Sequence, residues 1–305
     1  MNRIGSLIGI ILLVAGISFA QSPTEIERQI SDAAGFFGGR IGVCAKDLNS
    51  NRIIEVNADS LFPTASTIKL PVLVELFYQF NEKRLAPDKP IALLDSVKKP
   101  GSGILQFLHS GQTLKLIDIA TMMIILSDNT ATNYVIDQLG TDHEAKLDVV
   151  NSRMRSLGLQ HTKLLNKLYS WETKKKTEEA RRFGIGVTSP GDMALLIEKI
   201  ARRELIDSAA SDSIIQILKA QQDITQAARL LPFAEDSTLW IANKTGSLDE
   251  VKNDIGIISS SKRTFVYAIY CDGSKDIGEQ VDNKATIACA NVARVLYDYF
   301  IGGIR

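Results

Sequence analysis

The chain has 305 residues, 45 % of them hydrophobic and 23 % charged, with 35 basic residues set against 35 acidic ones. That composition excludes collagen-like, mucin-like and wholly disordered chains, and the length allows about two domains with a core that needs no disulfide or metal staple. A net charge of zero argues against a phosphate-backbone partner, so no nucleic acid is expected.

The first twenty residues read as an export signal. Arg3 supplies the positive charge, Ile4 to Phe19 is an uncharged apolar run, and Ser18-Phe19-Ala20 is a small-x-small cleavage site before Gln21. Gly5, Ser6 and Gly9 dilute a run already shorter than the ~20 residues a membrane span needs, so cleavage is expected over an uncleaved anchor. The mature protein is then periplasmic or secreted. Ile26, Ile30, Ala33, Ala34 and Phe37 recur at helical spacing, and Gly38 and Gly39 end that helix. Ile41–Leu48 and Ile53–Val56 are strand-like, joined by the turn Asn49-Ser50-Asn51. Helical patterns then dominate from roughly 65 to 230. Thr238–Asn243, Ile255–Ile258 and Phe265–Cys271 return to short β-rich runs, and Ile287–Phe300 is a closing amphipathic helix.

Strand-type sequence at both ends brackets a helical middle. The expected fold is α/β of the α+β type: a five-stranded, mainly antiparallel sheet flanked by helices, with an inserted all-α domain and the active site in the cleft between them. Residues 21–64 and 231–305 would form the sheet domain, and 65–230 the insert. Cys44, Cys271 and Cys289 lie in no C-x-x-C pair, and His109, His143 and His161 are scattered, so no metal site is expected. Buried, inert thiols are the expected state, with a Cys44–Cys271 bridge as the alternative.

No G-x-S-x-G elbow, Walker A, H-E-x-x-H or G-x-G-x-x-G string is present. Three S-x-x-K strings are: Ser66–Lys69, Ser96–Lys99 and Ser259–Lys262, where chance alone gives roughly one. Only Ser66 opens a long apolar run, Ile68 to Phe77, which reads as a buried helix. A helix start there places Lys69 on the face of Ser66 and leaves backbone N–H groups unpaired beside the hydroxyl. Such groups stabilise an oxyanion, and a desolvated lysine serves as a base. The bland alternative for Ser66 is a helix N-cap. Ser127-Asp128-Asn129 at the exit of the apolar helix Ile117–Leu126, and Lys244-Thr245-Gly246 after the strand Thr238–Asn243, complete a three-part set. In order, S-x-x-K, S-D-N and K-T-G are a signature of class A β-lactamases and penicillin-binding proteins.

The chain therefore resembles the serine β-lactamase and penicillin-binding protein superfamily, and within it the class A branch, over essentially its whole mature length. Phe62-Pro63-Thr64-Ala65-Ser66-Thr67-Ile68-Lys69, Leu126 to Asn133, Lys244 to Ser247 with Asn253-Asp254-Ile255-Gly256, and Thr188 to Met193 carry the likeness. The resemblance implies Ser66 as the acylated nucleophile, Lys69 as its base and Ser127 as proton relay. It implies Asn129 on the substrate's side-chain amide, Lys244 and Thr245 on its carboxylate, and the backbone N–H groups of Ser66 and Ser247 as the oxyanion hole. Asp128 would fix its loop. No cofactor is implied. The expected partner is a small β-lactam or a D-Ala-D-Ala peptide, bound by a monomer.

The sequence departs from the family at the omega-type loop, about residues 158–188. An alignment anchored at Gly158, Thr162 and Leu164 puts Leu168 where the family's deacylating glutamate stands, and the nearest acid is Glu172. No arginine precedes Gly256, where some class A enzymes place a carboxylate-binding cation; Lys252 is the substitute on hand. The acylation parts are present and the usual deacylation part is not. The chain thus reads as a β-lactamase with an altered loop or as a D-alanyl-D-alanine carboxypeptidase, with a non-catalytic β-lactam or muropeptide sensor as the alternative of another class.

Overall fold

The computed structural model describes residues 24–170 and 176–303; the export signal and Glu172 lie outside the described residues. The chain opens with α1 (Glu25–Ala34), β1 (Arg40–Asp47), β2 (Ile53–Val56) and the short β3 (Phe62–Pro63). After a 3-10 turn come α2 (Lys69–Asn81), β4 (Pro90–Ala92), β5 (Thr113–Lys115), α3 (Leu116–Ile125), α4 (Asn129–Gln138) and α5 (His143–Ser156). Then follow β6 (Lys163–Leu164), α6 (Glu178–Phe183), β7 (Gly186–Thr188), α7 (Pro190–Ala201) and α8 (Ser208–Lys219). The chain closes with β8 (Trp240–Leu248), β9 (Val251–Ser259), β10 (Thr264–Asp272) and α9 (Lys284–Tyr297).

The main sheet has the order β2-β1-β10-β9-β8, and every neighbouring pair is antiparallel. Alternation along the strands divides two cores. Val266, Ala268 and Tyr270 of β10 face the helical layer that includes α2, α3, α4 and α7. Phe265, Tyr267, Ile269 and Cys271 face α1 and α9. The same parity separates the cysteines. Cys44 pairs with Ala268 in the register and lies in the first core, whereas Cys271 lies in the second, so a Cys44–Cys271 bridge would have to pass through the sheet. All three thiols are free and buried, and the neighbour of Cys271 is Cys289 on α9, with sulfurs 3.5 Å apart.

The strand ends run past their sequence-read limits. Lys244-Thr245-Gly246 lies inside β8 rather than after it, because the ladder to β9 continues from Asn243↔Gly256 to Leu248↔Val251. The other two S-x-x-K strings are structural: Ser259 Oγ is hydrogen-bonded to Thr264 Oγ1 at 2.6 Å, and Ser96 sits in a 3-10 turn.

Helix α2 is buried on nearly all sides, as its apolar run predicts, with Pro71 in its first turn where no N–H is missed. Its one buried acid, Glu75, is 0 % exposed. Arg153 Nε of α5 donates to it at 2.8 Å while its other arm reaches Glu82, and the guanidinium stacks 3.9 Å from the Tyr78 ring. This clamp fixes α2, and with it the turn at its head, against α5. Arg153→Ala would leave the Glu75 carboxylate buried with a weaker partner; it is expected to cost about 3 kcal/mol, read as a shift in the urea midpoint at unchanged slope.

Candidate active site

Ser66 stands at the head of α2, in a 3-10 turn spanning Ala65–Ile68, and the α-helix proper begins at Lys69. The structure thus replaces the expected α-helical start with a tighter turn. Ser66 makes no capping bond there, so the N-cap role does not apply. The preceding Ala65 has φ +45°, a left-handed conformation that costs free energy in a residue with a Cβ. Gly246 of β8 explains how strand and turn come so close. A Cβ on it would sit 2.9 Å from Thr64 O and 3.1 Å from Ser66 N, so only glycine lets β8 press against the Ser66 backbone.

Lys69 is 0 % exposed, and so is Lys244. Lys69 Nζ reaches Ser127 O at 2.5 Å, Ser127 Oγ at 3.1 Å and Asn129 Oδ1 at 3.0 Å. Lys244 Nζ donates to the same Ser127 Oγ at 3.1 Å and to Thr245 O at 2.6 Å. One hydroxyl therefore joins two buried amines from different parts of the chain. Burial first, then the Lys244 charge, holds Lys69 well below the ordinary lysine range. Burial also brings Lys244 down to about 8, with Asp223 and Asp254 opposing that drop. Three oxygens match the three N–H of an ammonium at Lys69, and the Ser127 hydroxyl can turn to donate to a neutral amine, so the site holds either state.

Ser127 itself is strained, with φ +52°. Asp128 secures it. It caps α4 by accepting from Ala131 N at 2.8 Å, while its other oxygen accepts from Leu105 N at 2.8 Å. Asn129 Nδ2 donates to Pro100 O at 2.9 Å, so its amide spans from Lys69 to the 100-loop. Ser66, Asn129 and Ser247 line one cleft of about 390 Å³ with Leu168, Tyr169 and Leu248. Lys69, Ser127, Lys244 and Thr245 are not in its lining; Lys69 joins it through its bond to the lining residue Asn129, and Lys244 through the shared Ser127 hydroxyl. Lys252 does not line it; its Nζ is bonded to Leu248 O at 2.9 Å. Among the described residues no His/Cys/Asp/Glu cluster suits a metal ion.

The omega-type loop lines the same cleft through Asn166 to Ser170. Its base is stitched to the Ser66 segment through β3-β7-β6, with Phe62↔Thr188 and Lys163↔Val187. Within it, Asn133 of α4 is 0 % exposed and grips Leu168 by both backbone groups. Its Nδ2 donates to Leu168 O at 2.8 Å, and its Oδ1 accepts from Leu168 N at 3.0 Å. Leu168 is thereby held as a residue of the cleft lining. The carboxylates on that lining, among the described residues, are Asp249 and Glu279 of the far rim. The sequence held Asn133 in a motif flank, but gave no sign of what it binds 35 residues later.

With this geometry in view, comparison with known proteins is direct. The family model described as the Beta-lactamase enzyme family matches residues 25–300, and the chain belongs to that family. Beta-lactamase AER-1 of Aeromonas hydrophila is 26 % identical over 305 residues, covering 97 % of this chain and 95 % of that protein. The β-lactamase from Sphaerobacter thermophilus superposes with a TM-score of 0.79 at 27 % identity, over 92 % of this chain and 98 % of that one. A leucine-to-glutamate variant of PBP-A, solved as an acyl-enzyme complex with penicillin G, superposes with a TM-score of 0.76 at 26 % identity, over 90 % of this chain and 96 % of that one. The protein is a β-lactamase-like serine hydrolase with the α+β fold expected from its sequence.

Asn133→Ala removes both bonds to the Leu168 backbone and leaves Leu168 N unmet, while Leu168 O keeps the bond from Ser170 Oγ at 3.2 Å. The expected cost is about 1–3 kcal/mol, with faster hydrogen exchange confined to residues near Leu168; unchanged exchange there would contradict the clamp.

Proposed function

We propose that this protein is an acyl-serine enzyme, acylated at Ser66 by β-lactams and slow to release the product, whose natural reaction is cleavage of D-alanyl-D-alanine peptides. On this reading the Ser66 oxygen attacks the amide carbonyl and its proton passes to the neutral Lys69 amine. Ser127 hands a proton to the departing nitrogen. Lys244 and Thr245 hold the substrate carboxylate, which suits a buried cation beside a hydroxyl. The backbone N–H groups of Ser66 and Ser247 receive the oxyanion, and Asn129 faces the substrate's side-chain amide. The cleft lies between the sheet domain, residues 21–64 with 231–305, and the helical insert 65–230. The protein works as an exported monomer.

The observation that carries the slow step is the grip of Asn133 on Leu168. It supports the register in which leucine occupies the water-activating position, and a leucine has no atom that accepts a proton. Without a base, hydrolysis of the ester loses a contribution of about 10²–10⁴ in rate. The PBP-A variant, in which a leucine was changed to glutamate, was captured with penicillin G as an acyl-enzyme, and it supports acylation by a β-lactam rather than the slow release. The β-lactamase reading stands beside it, favoured by the similarity to Beta-lactamase AER-1 over the full chain, and it requires a base from Glu172 or elsewhere.

Acyl-enzyme lifetime separates the two. A fluorescent penicillin should label the purified protein covalently, Ser66→Ala should abolish the band, and the wild-type adduct should persist for hours. Decay within seconds would move the assignment to a β-lactamase. Leu168→Glu should shorten the lifetime at least about tenfold; an unchanged lifetime would refute the register.

The Lys244 ammonium is present below about 8 and lost above it. Acylation by a carboxylate-bearing penicillin should therefore weaken as pH rises through about 8. The loss should appear in apparent affinity more than in the limiting rate, and stopped-flow labelling across pH 6–10 checks it.

A further inference from the structure

One buried amide under the Ser66 turn has no part in the mechanism above. Asn253 of β9 is 0 % exposed. Its Nδ2 donates to Pro63 O at 2.9 Å and to Thr64 O at 3.2 Å. Carbonyls only accept, so the NH2 end must face them and the amide sits only this way round. Its Oδ1 then has no hydrogen-bond partner among the described residues. A buried acceptor without a donor costs stability, so stability alone does not account for an amide here. Asn253 stands in a row that crosses the sheet, paired with Gly246 of β8 on one side and Tyr270 of β10 on the other. All three meet the same turn. Thr64 O accepts from Thr67 N at 3.1 Å and from Thr67 Oγ1 at 2.7 Å, and that hydroxyl lies 3.0 Å from Tyr270 Oη. Gly246 leaves the space in which Thr64 O and Ser66 N approach the strand. The Thr67 bonds close the turn from within, whereas Asn253 reaches Thr64 O directly from the sheet.

The next residue, Ala65, is the strained one, with φ +45°. Release of that strain would turn the Thr64–Ala65 peptide and swing Thr64 O away. With Pro63 O and Thr64 O both held, the two peptides before Ala65 cannot turn. The Ser66 N–H follows directly in the chain, so its direction depends on them. We propose that Asn253 is a positioning residue: by pinning these two carbonyls it keeps Ala65 left-handed and aims the Ser66 N–H at the oxyanion. This rests on the acyl-serine reading given above, in which that N–H receives the oxyanion.

The experiment follows acylation by penicillin G in the unsubstituted protein and in Asn253→Leu, Asn253→Ser and Asn253→Asp, none of which keeps the amide N–H. Stopped-flow labelling separates the limiting acylation rate from the apparent affinity, and infrared spectra of the adducts read the acyl carbonyl stretch. The limiting rate should fall at least about tenfold while the affinity changes less than about twofold, because Lys244, Thr245 and Asn129 are untouched. The carbonyl stretch should move up toward that of an ester outside an oxyanion hole, which a merely structural role would not produce. Thermal melts identify the variants that fold, and those decide. Unchanged rates, equal loss of rate and affinity, or an unmoved carbonyl stretch in the folded variants overturns the assignment of Asn253 alone. Failure of all three variants to fold also overturns it, since Asn253 is then a structural residue. Failure of penicillin G to label the unsubstituted protein at Ser66 overturns the acyl-serine reading and this assignment with it.

Discussion

The organising constraint of this structure is that two lysines, both fully buried, converge on one serine hydroxyl. Two ammonium groups sharing a dry pocket repel, and burial penalises each charge separately. The system resolves this unequally. Lys244 has two carboxylates, Asp223 and Asp254, acting in its favour, while Lys69 has Asp128 for it but the Lys244 charge against it. The Lys69 amine is thus held well below the ordinary lysine range, and the Lys244 amine at about 8. Much of the surrounding architecture serves that asymmetry: the Arg153–Glu75 clamp on α2, the glycine that lets β8 approach, and the Asp128 cap that holds Ser127 in a left-handed turn.

How much of this is legible in the sequence differs by element. The five strands and their antiparallel pairing follow from short runs at both ends, because hairpin-spaced strands have few other partners, whereas the strand order does not. The buried character of α2 follows from an apolar run with no polar face. Segment ends are less visible. Polar Lys244 and Thr245 look like the close of a strand, yet they continue it, since a buried strand accepts a polar side chain that finds a partner, as Lys244 does at Ser127 Oγ. The 3-10 turn at Ser66 is hidden for a related reason: composition reports a helix start but not its pitch. Parity along β1 and β10 assigns Cys44 and Cys271 to opposite faces, but only once the register is known.

The site shows the same division. Ser66, Lys69, Ser127 and Lys244 carry a spacing signal strong enough to group them, and the structure joins Lys69, Ser127 and Lys244 by hydrogen bonds and puts Ser66 in the cleft lining. Asn133 carries none. It acts through a contact far along the chain, on Leu168, and a lone amide residue has no pattern to reveal such a partner. Glu172, the acid nearest Leu168 in sequence, lies outside the described residues, so the lining acids in view are Asp249 and Glu279 on the far rim.

The clamp on Leu168 has a consequence for how such proteins diverge. Asn133 holds the loop by its main chain alone, so the loop's shape is indifferent to which side chain hangs from that residue. On the reading proposed above, scaffold and reactivity are uncoupled at this one point: exchanging that side chain trades a trapped adduct for rapid turnover, or the reverse, while the main-chain clamp stays in place.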